Sequence, residues 1–176
     1  KFSNGKHVHI MSLWSDNQYF KPIEKRNNPF IHKHNLQDKF IVMYSGNLGA
    51  YSGVEVLIEL ARAINNKDIL FIIIGEGILK KSLIKKRNEF RLENCIFLPW
   101  QHPDILPFSL AAADLAVVSL AESEGKHSMP SKLYNNLSVG VPILCISSAN
   151  SDLFLTVNEL NVGRSFETRD IVGMVN

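Results

Sequence analysis

A predicted helix start at Ser131 and Lys132 is the part of this sequence best suited to chemistry. The first N–H groups of a helix have no carbonyl partner within it, and the helix dipole favours negative charge at that end. We expect the N–H groups of both residues to point into a polar loop, where the Lys132 ammonium adds a full positive charge. This combination predicts an anion site.

The neighbouring residues indicate how the chain would build this helix. Ser128 is the predicted N-cap, and Pro130 would occupy the first turn, where a missing N–H has no consequence. Leu133 and Leu137 lie one turn apart and are predicted to face inward. Gly140 suits a left-handed helix end, and a proline two residues later prevents continuation into the next strand.

Two glycine-containing loops follow predicted strands. Gly46, Asn47 and Gly49 would let a backbone approach a phosphate or sugar closely, although a tight strand–helix turn explains them equally well. Gly75 lies in a second loop of this kind, for which a plain helix-start turn is favoured. Neither loop matches a P-loop or the G-x-G-x-x-G pattern, so the sequence gives little support to hydride chemistry.

Other candidate residues have competing structural explanations. Trp100 could stack on a base and Gln101 could read its edge, but a plain aromatic plug at the end of the sheet is an equal alternative. A basic cluster at residues 80–87 is better explained as a solvated helix face than as a surface for nucleic acid or an anionic membrane. Asp114 is predicted to make a structural hydrogen bond at a strand start. For His127 an exposed loop position is favoured over a contact with phosphate or hydroxyl.

The composition is that of an ordinary globular domain. The 176 residues are 45% hydrophobic and 20% charged, with a net charge of +2, so nothing demands nucleic acid as a partner. The apolar runs are too short to cross a bilayer. Cys95 and Cys145 lie in apolar runs and are predicted to be buried thiols in a reducing compartment. The six histidines lack a pattern of companion ligands, so no metal site is predicted.

Strand-like and helix-like segments alternate from residue 39 onward. Apolar runs typical of strands buried on both faces alternate with helical stripes at the spacing of βαβ units; the predicted strands are 40–44, 69–74, 95–98, 115–119, 143–146 and 162–166. This pattern predicts an α/β fold, a Rossmann-like, doubly wound parallel sheet. Residues 1–38 are predicted to be an irregular lead or linker, and residues 39–176 the Rossmann-like domain. Ligands of such sheets bind beyond the carboxyl ends of the strands.

Several segments in order resemble the C-terminal half of a GT-B glycosyltransferase of the group 1, or family 4, type. They cover residues 40–165 and read VMYSGNLGAYSGVEVLIELA, LFIIIGEG, CIFLPW, AAADLAVVSL and MPSKLYNNLSVGVPIL. The lead IMSLWSDNQYFKP is similar to the interdomain segment of that family. The resemblance implies one half of a GT-B fold, with an N-terminal acceptor domain that this chain does not contain.

The resemblance also implies roles for individual residues. It places the donor diphosphate near Ser131 and Lys132, the loop at Gly46–Gly49 beside the phosphates or sugar, and the base near Trp100 and Gln101. Gly75 is included with the donor-binding residues. No metal is expected, because helix N–H groups and one lysine can stabilise a diphosphate leaving group. The catalytic side chains are not identified, since in the family they lie largely in the other domain.

The sequence departs from the family pattern at several positions. Asn47 and Ser52 stand where many members have Arg and Lys, and Lys132 could compensate for them. Asn135 stands where a Glu grips the ribose hydroxyls, and the preceding Glu of that pattern would fall near His127. An amide can donate and accept hydrogen bonds but carries no charge. Weaker donor binding, a changed donor and lost activity all remain open.

The expected function is therefore the donor half of a glycosyltransferase, with a UDP-sugar as donor and a polysaccharide or lipid-linked sugar acceptor. One alternative is a non-catalytic nucleotide- or sugar-binding module that kept the fold, and another is a UDP-sugar epimerase-type enzyme. The expected partners are the nucleotide-sugar, the acceptor and the protein's own N-terminal domain, without nucleic acid. The expected location is the cytoplasm, with room for peripheral contact at the inner membrane face.

Overall fold

A computed structural model of the chain describes residues 13–122 and 126–176. Six parallel strands form one sheet in the order β3-β2-β1-β4-β5-β6. Their bounds are β1 Phe40–Ser45, β2 Ile69–Ile74, β3 Cys95–Leu98, β4 Leu115–Ser119, β5 Ile143–Ile146 and β6 Gly163–Phe166. Each strand lies within one residue of its predicted bounds, which confirms the predicted Rossmann-like α/β fold.

Helices cover both faces of this sheet. They are α1 Pro29–His34, α2 Val56–Ile64, α3 Lys80–Glu89, α4 Leu106–Leu110, α5 Lys132–Ser138, α6 Asp152–Glu159 and α7 Ile171–Val175. Two 3₁₀ turns lie at Lys25–Asn27 and Pro103–Ile105. One apolar core contains Leu110, Leu133 and Val157, and a second contains Ile58 and Leu83. Strands β1 to β3 are added toward one edge of the sheet and strands β4 to β6 toward the other. A crevice is therefore expected at the carboxyl ends of β1 and β4.

The lead segment is more regular than predicted. Asn28 and Pro29, residue types that often break regular structure, begin α1, because the Asn28 side chain accepts a hydrogen bond of 2.9 Å from the Phe30 N–H. Phe30 and Ile31 of this helix are buried in the first apolar core. The sequence also suggests a strand in the apolar run at residues 8–13, which lies almost wholly outside the described residues.

Several predicted helix ends were wrong. Ser52 and Glu55 match the sequence pattern of a capping box. The box does not form, because the Ser52 hydroxyl donates to the Gly49 carbonyl at 2.7 Å and α2 begins only at Val56. The sequence also predicts a helix from Pro103 to residue 113, but this segment starts as a 3₁₀ turn and its helix ends at Leu110. Phe90 has the spacing of an inward-facing helix position, yet it is 36% exposed and its ring lies under a guanidinium group.

The predicted structural roles of the cysteines and of Asp114 are confirmed. Cys95 and Cys145 are fully buried, and burial raises the pKa of both thiols, to about 12 for Cys95. The Asp114 carboxylate accepts from the Ile41 N–H at 2.8 Å and pairs with Lys25 at 2.7 Å. In the described residues, no helix has the length and apolar character of a membrane span, and no His, Cys, Asp and Glu side chains cluster as metal ligands would.

Candidate functional site

A cavity of about 350 Å³ lies at the carboxyl ends of β1 and β4, where the direction of strand addition reverses. The loop after β1 forms one wall, and the chain leading into α5 forms the other. The lining residues are Tyr44, Asn47, Gly49, Tyr51, Ser52, Ser119, Leu120, Ser128, Pro130 and Lys132. The lining therefore carries hydroxyl groups, an amide and one ammonium group, and none of these residues has a carboxylate.

Lys132 provides the positive charge of this cavity. Its Nζ donates a hydrogen bond of 2.8 Å to the Tyr44 hydroxyl and lies 4.0 Å from the centre of the Tyr44 ring. Burial lowers the pKa of Lys132 to about 8, because the charged ammonium form loses its hydration in the protein interior. No carboxylate of the described residues forms an ion pair with it. A buried cation of this kind is suited to an anionic ligand.

The start of α5 differs from the predicted start. Ser128 does not cap the helix: α5 begins at Lys132, and Ser131 precedes it in helical conformation without a capping side chain. The first turn closes through a bond of 3.1 Å from the Leu133 N–H to the Pro130 carbonyl. Ser128 instead lines the cavity. Among the described residues, no carbonyl accepts a hydrogen bond from the N–H groups of Ser131 and Lys132.

The predicted left-handed end of α5 is confirmed. Gly140 has a φ of +77°, and its N–H donates to the Leu137 carbonyl at 3.0 Å. Leu133 is fully buried and Leu137 packs against the same core, so the helix is anchored along its inner face. This anchoring fixes the position of its first residue above the sheet.

The glycine loops after β1 and β2 pack against each other, backbone to backbone. A Cβ added at Gly75 would lie 1.9 Å from the Gly46 carbonyl oxygen, so only glycine fits. The Leu48 N–H donates to the Glu76 carbonyl at 2.8 Å and ties the loops together. Gly46 also has a tight neighbour, since an added Cβ would lie 2.6 Å from the Lys132 Nζ. The second loop thus holds the first in place beside the lysine.

Six of the nine predicted donor-binding residues are not in the cavity lining: Gly46, Gly75 and Ser131 belong to the loops and the helix start around it, and Trp100, Gln101 and Asn135 make contacts elsewhere. Trp100 is 52% exposed after the edge strand β3, and the Gln101 side chain donates to the Pro99 carbonyl at 2.8 Å. The Asn135 side-chain oxygen accepts a bond of 2.9 Å from the Ser15 hydroxyl in the lead segment. The structure brings Asn47, Gly49 and Lys132 into one lining, and Gly46 lies against the Lys132 ammonium group.

Two residues that the sequence does not single out, Tyr44 and Ser119, complete the site. Tyr44 is fully buried, and its hydroxyl donates to the Asn47 carbonyl at 2.8 Å. Ser119, at the end of β4, donates to the Ser52 carbonyl at 2.6 Å and holds the far wall of the cavity. A tyrosine and a serine that end otherwise apolar strand runs were the available signals, because polar groups at strand ends face the crevice.

His127 lies beside the site with a partner of its own. Its ring nitrogen is 3.1 Å from the Asp152 carboxylate, and the imidazole is almost fully exposed. The exposed position favoured for this histidine is therefore confirmed.

Comparisons with known proteins find relatives of this chain among glycosyltransferases. A family model described as glycosyl transferases group 1 matches residues 24–163. The chain is 26% identical to the probable glycosyltransferase WbjE of Pseudomonas aeruginosa over 177 residues, which is 99% of this chain and 44% of that protein. It is 34% identical to the candidate colanic acid biosynthesis glycosyl transferase WcaI of Escherichia coli over 116 residues, 66% of this chain and 28% of that protein.

Solved structures share the fold at low sequence identity. The Anabaena protein HepE, solved in complex with UDP, superposes with a TM-score of 0.75 at 17% identity over 93% of this chain and 45% of that one. The C-terminal domain of the group 1 protein LpcC from Francisella tularensis gives a TM-score of 0.72 at 21% identity over 92% and 84%. The chain therefore spans less than half of its curated relatives but most of a separately solved C-terminal domain.

Proposed function

Because the chain belongs to the glycosyl transferases group 1 family, we propose that it is the donor-binding domain of a glycosyltransferase that uses a UDP-sugar. The observation that carries the proposal is the cavity between β1 and α5, in which the Lys132 ammonium has no carboxylate partner among the described residues. A diphosphate would supply the missing negative charge.

The chemistry of sugar transfer fits such a cavity. Negative charge develops on the diphosphate as it leaves the sugar, and preorganised donors aimed at that charge lower the barrier. The N–H groups of Ser131 and Lys132 and the Lys132 ammonium would provide these donors without a metal ion. Gly46, Asn47 and Gly49 would lie beside the phosphates or the sugar, where a loop with small residues permits close approach.

The remaining roles belong to the same proposal. The fold shared with HepE, which was solved with UDP, supports uracil as the base. In this proposal the base lies toward Trp100 and Gln101, and Asn135 contacts the ribose after releasing Ser15. A polysaccharide or lipid-linked acceptor would bind a separate N-terminal domain, with the protein working in the cytoplasm or at the inner membrane face. The family of the chain favours transfer over the epimerase alternative.

Calorimetric titration of the full-length protein tests the proposal. We expect UDP and a UDP-sugar to bind in the micromolar range, with ADP weaker and uridine, which has no phosphate, weaker still. Incubation with a UDP-sugar and candidate acceptors then separates an active transferase from a binding module that kept the fold. The proposal is wrong if millimolar UDP releases no heat and does not raise the melting temperature.

Gly46→Ala is expected to weaken UDP binding about tenfold while changing the free energy of unfolding by less than about 1 kcal/mol. The added methyl would lie 2.6 Å from the Lys132 Nζ, the flexible end of a side chain, so the lysine must move while the backbone stays. The control is Ser82→Ala on the exposed face of α3, outside the cavity lining, which should leave UDP affinity unchanged. Titration with UDP and thermal unfolding give the two quantities; equal affinities for the two variants would contradict the expectation.

A further inference from the structure

Tyr44 joins the three parts of the candidate site. It lies in β1, its side chain is fully buried, and its hydroxyl makes two hydrogen bonds of 2.8 Å. In one the hydroxyl donates to the Asn47 carbonyl of the glycine loop, and in the other it accepts from the Lys132 Nζ of α5. The ring lies 4.0 Å below the same ammonium group. The proposed function gives roles to Lys132 and the glycine loop but none to Tyr44.

The tyrosine holds the ammonium group without neutralising it. Burial raises the pKa of Tyr44 to about 12, so its hydroxyl stays uncharged at neutral pH. A carboxylate in the same place would pair with the lysine and compete with an anionic ligand. The quadrupole of the Tyr44 ring and one lone pair of its hydroxyl oxygen attract the ammonium group. Two of the three ammonium hydrogens are left for a ligand.

We propose that Tyr44 is a positioning residue of the anion site, which aims the Lys132 ammonium into the cavity while leaving its charge for the diphosphate. This inference rests on the proposed function, because it specifies how the same cavity would hold its ligand. A lysine side chain has four rotatable bonds, and fixing it before the ligand arrives removes an entropic cost from binding.

Tyr44→Phe tests the role of the hydroxyl in the full-length protein. The ring remains, but Lys132 loses its acceptor, so we expect the dissociation constant for UDP to rise about 3- to 10-fold. Uridine binding should not change, because uridine has no phosphate. The matched control is Tyr134→Phe, which removes a hydroxyl on α5 outside the cavity lining and should leave UDP affinity unchanged.

The pH dependence of UDP affinity is a second measurement. A merely structural role for Tyr44 would not change the pH at which the affinity declines. Among the described residues, the titratable groups that line the cavity with Lys132 are Tyr44 and Tyr51, and Glu55 acts on Tyr44. Because the pKa of Lys132 is lowered to about 8, affinity should decline as the pH rises through about 8. Without its acceptor the ammonium form is less stable, so the decline should begin at a lower pH in Tyr44→Phe.

The outcomes separate this inference from the proposed function. If the unaltered protein binds UDP, and Tyr44→Phe matches it in both affinity and pH midpoint, the positioning role is wrong while the donor site stands. If the unaltered protein does not bind UDP, both fail. Equal weakening of UDP and uridine in a folded variant would show that Tyr44 shapes the cavity generally, which also overturns the positioning role.

Discussion

Lys132→Met is expected to weaken UDP binding about 10- to 100-fold, because hydrogen bonds to a charged group contribute about 1.5–3 kcal/mol and tenfold corresponds to about 1.4 kcal/mol. Methionine keeps most of the length of the side chain and its contact with the Tyr44 ring but removes the charge and the donors. Lys81→Met on the exposed face of α3 removes one charge elsewhere and is the matched control. Calorimetry on the full-length proteins measures the difference.

The same substitution should stabilise the protein when no ligand is bound. Burial lowers the pKa of Lys132 from 10.5 to about 8, which means that the folded state holds the ammonium less favourably than water does. Removing a charge that has no carboxylate partner in the described parts of the chain should therefore raise the free energy of unfolding by about 1 kcal/mol at pH 7. Stability that is given up for function is typical of a ligand site.

The sign of the pH effect follows from proton binding. Below about pH 8 lysine is protonated in both states, so the full penalty is present. Between about pH 8 and 10.5 the unfolded chain binds more protons than the folded one, and the stability of the unaltered protein rises relative to the Met variant. Thermal unfolding at pH 7 and pH 10 should show this gap closing. A Met variant that is less stable at pH 7 would instead show that Lys132 is needed for the fold.

The four central strands could be predicted because they are buried on both faces, whereas the edge strands β3 and β6 are only partly buried. A run such as Ile69–Ile74 has no polar side that could be confused with a helix stripe, and two neighbouring strands cover its edges. The helix starts were harder, because serine, asparagine and proline lie at several nearby positions. At α5 the turn closed by the Pro130 carbonyl decides the start, and at α1 the Asn28 side chain does. The local sequence does not show which of several possible first residues begins the helix.

The site could be predicted only where its signals were local. Lys132 next to a helix start and glycines after a strand are short patterns, and the structure brings them to one cavity. The contact of Tyr44 with Lys132 joins residues 88 positions apart, and no local pattern shows it. Trp100 lies outside the lining for a related reason: β2 separates its strand from β1, and strand order is set by the whole sheet. Asn135 bonds to Ser15 across 120 positions.

Gly75→Ala is expected to lower the free energy of unfolding by about 3 kcal/mol and the melting temperature by about 6–12 °C. Gly75 has a φ of +148°, which alanine rarely adopts, and its added methyl would lie 1.9 Å from the Gly46 carbonyl oxygen. That atom belongs to the backbone at the end of β1, where the Gly46 N–H donates to the Ile74 carbonyl at 3.0 Å. The clash therefore cannot be relieved by a side-chain rotation.

A local opening of the glycine loops is the cheapest response to this methyl group, and it would move the loop that faces Lys132. We therefore expect Gly75→Ala to lose UDP binding even at temperatures where most of the protein is folded. Gly49→Ala is the control for stability, because its φ is not positive and its methyl meets only a side chain, at 3.2 Å. Differential scanning calorimetry with and without UDP measures both effects. If Gly75→Ala keeps its melting temperature, the close packing of the two loops is not what holds the site together.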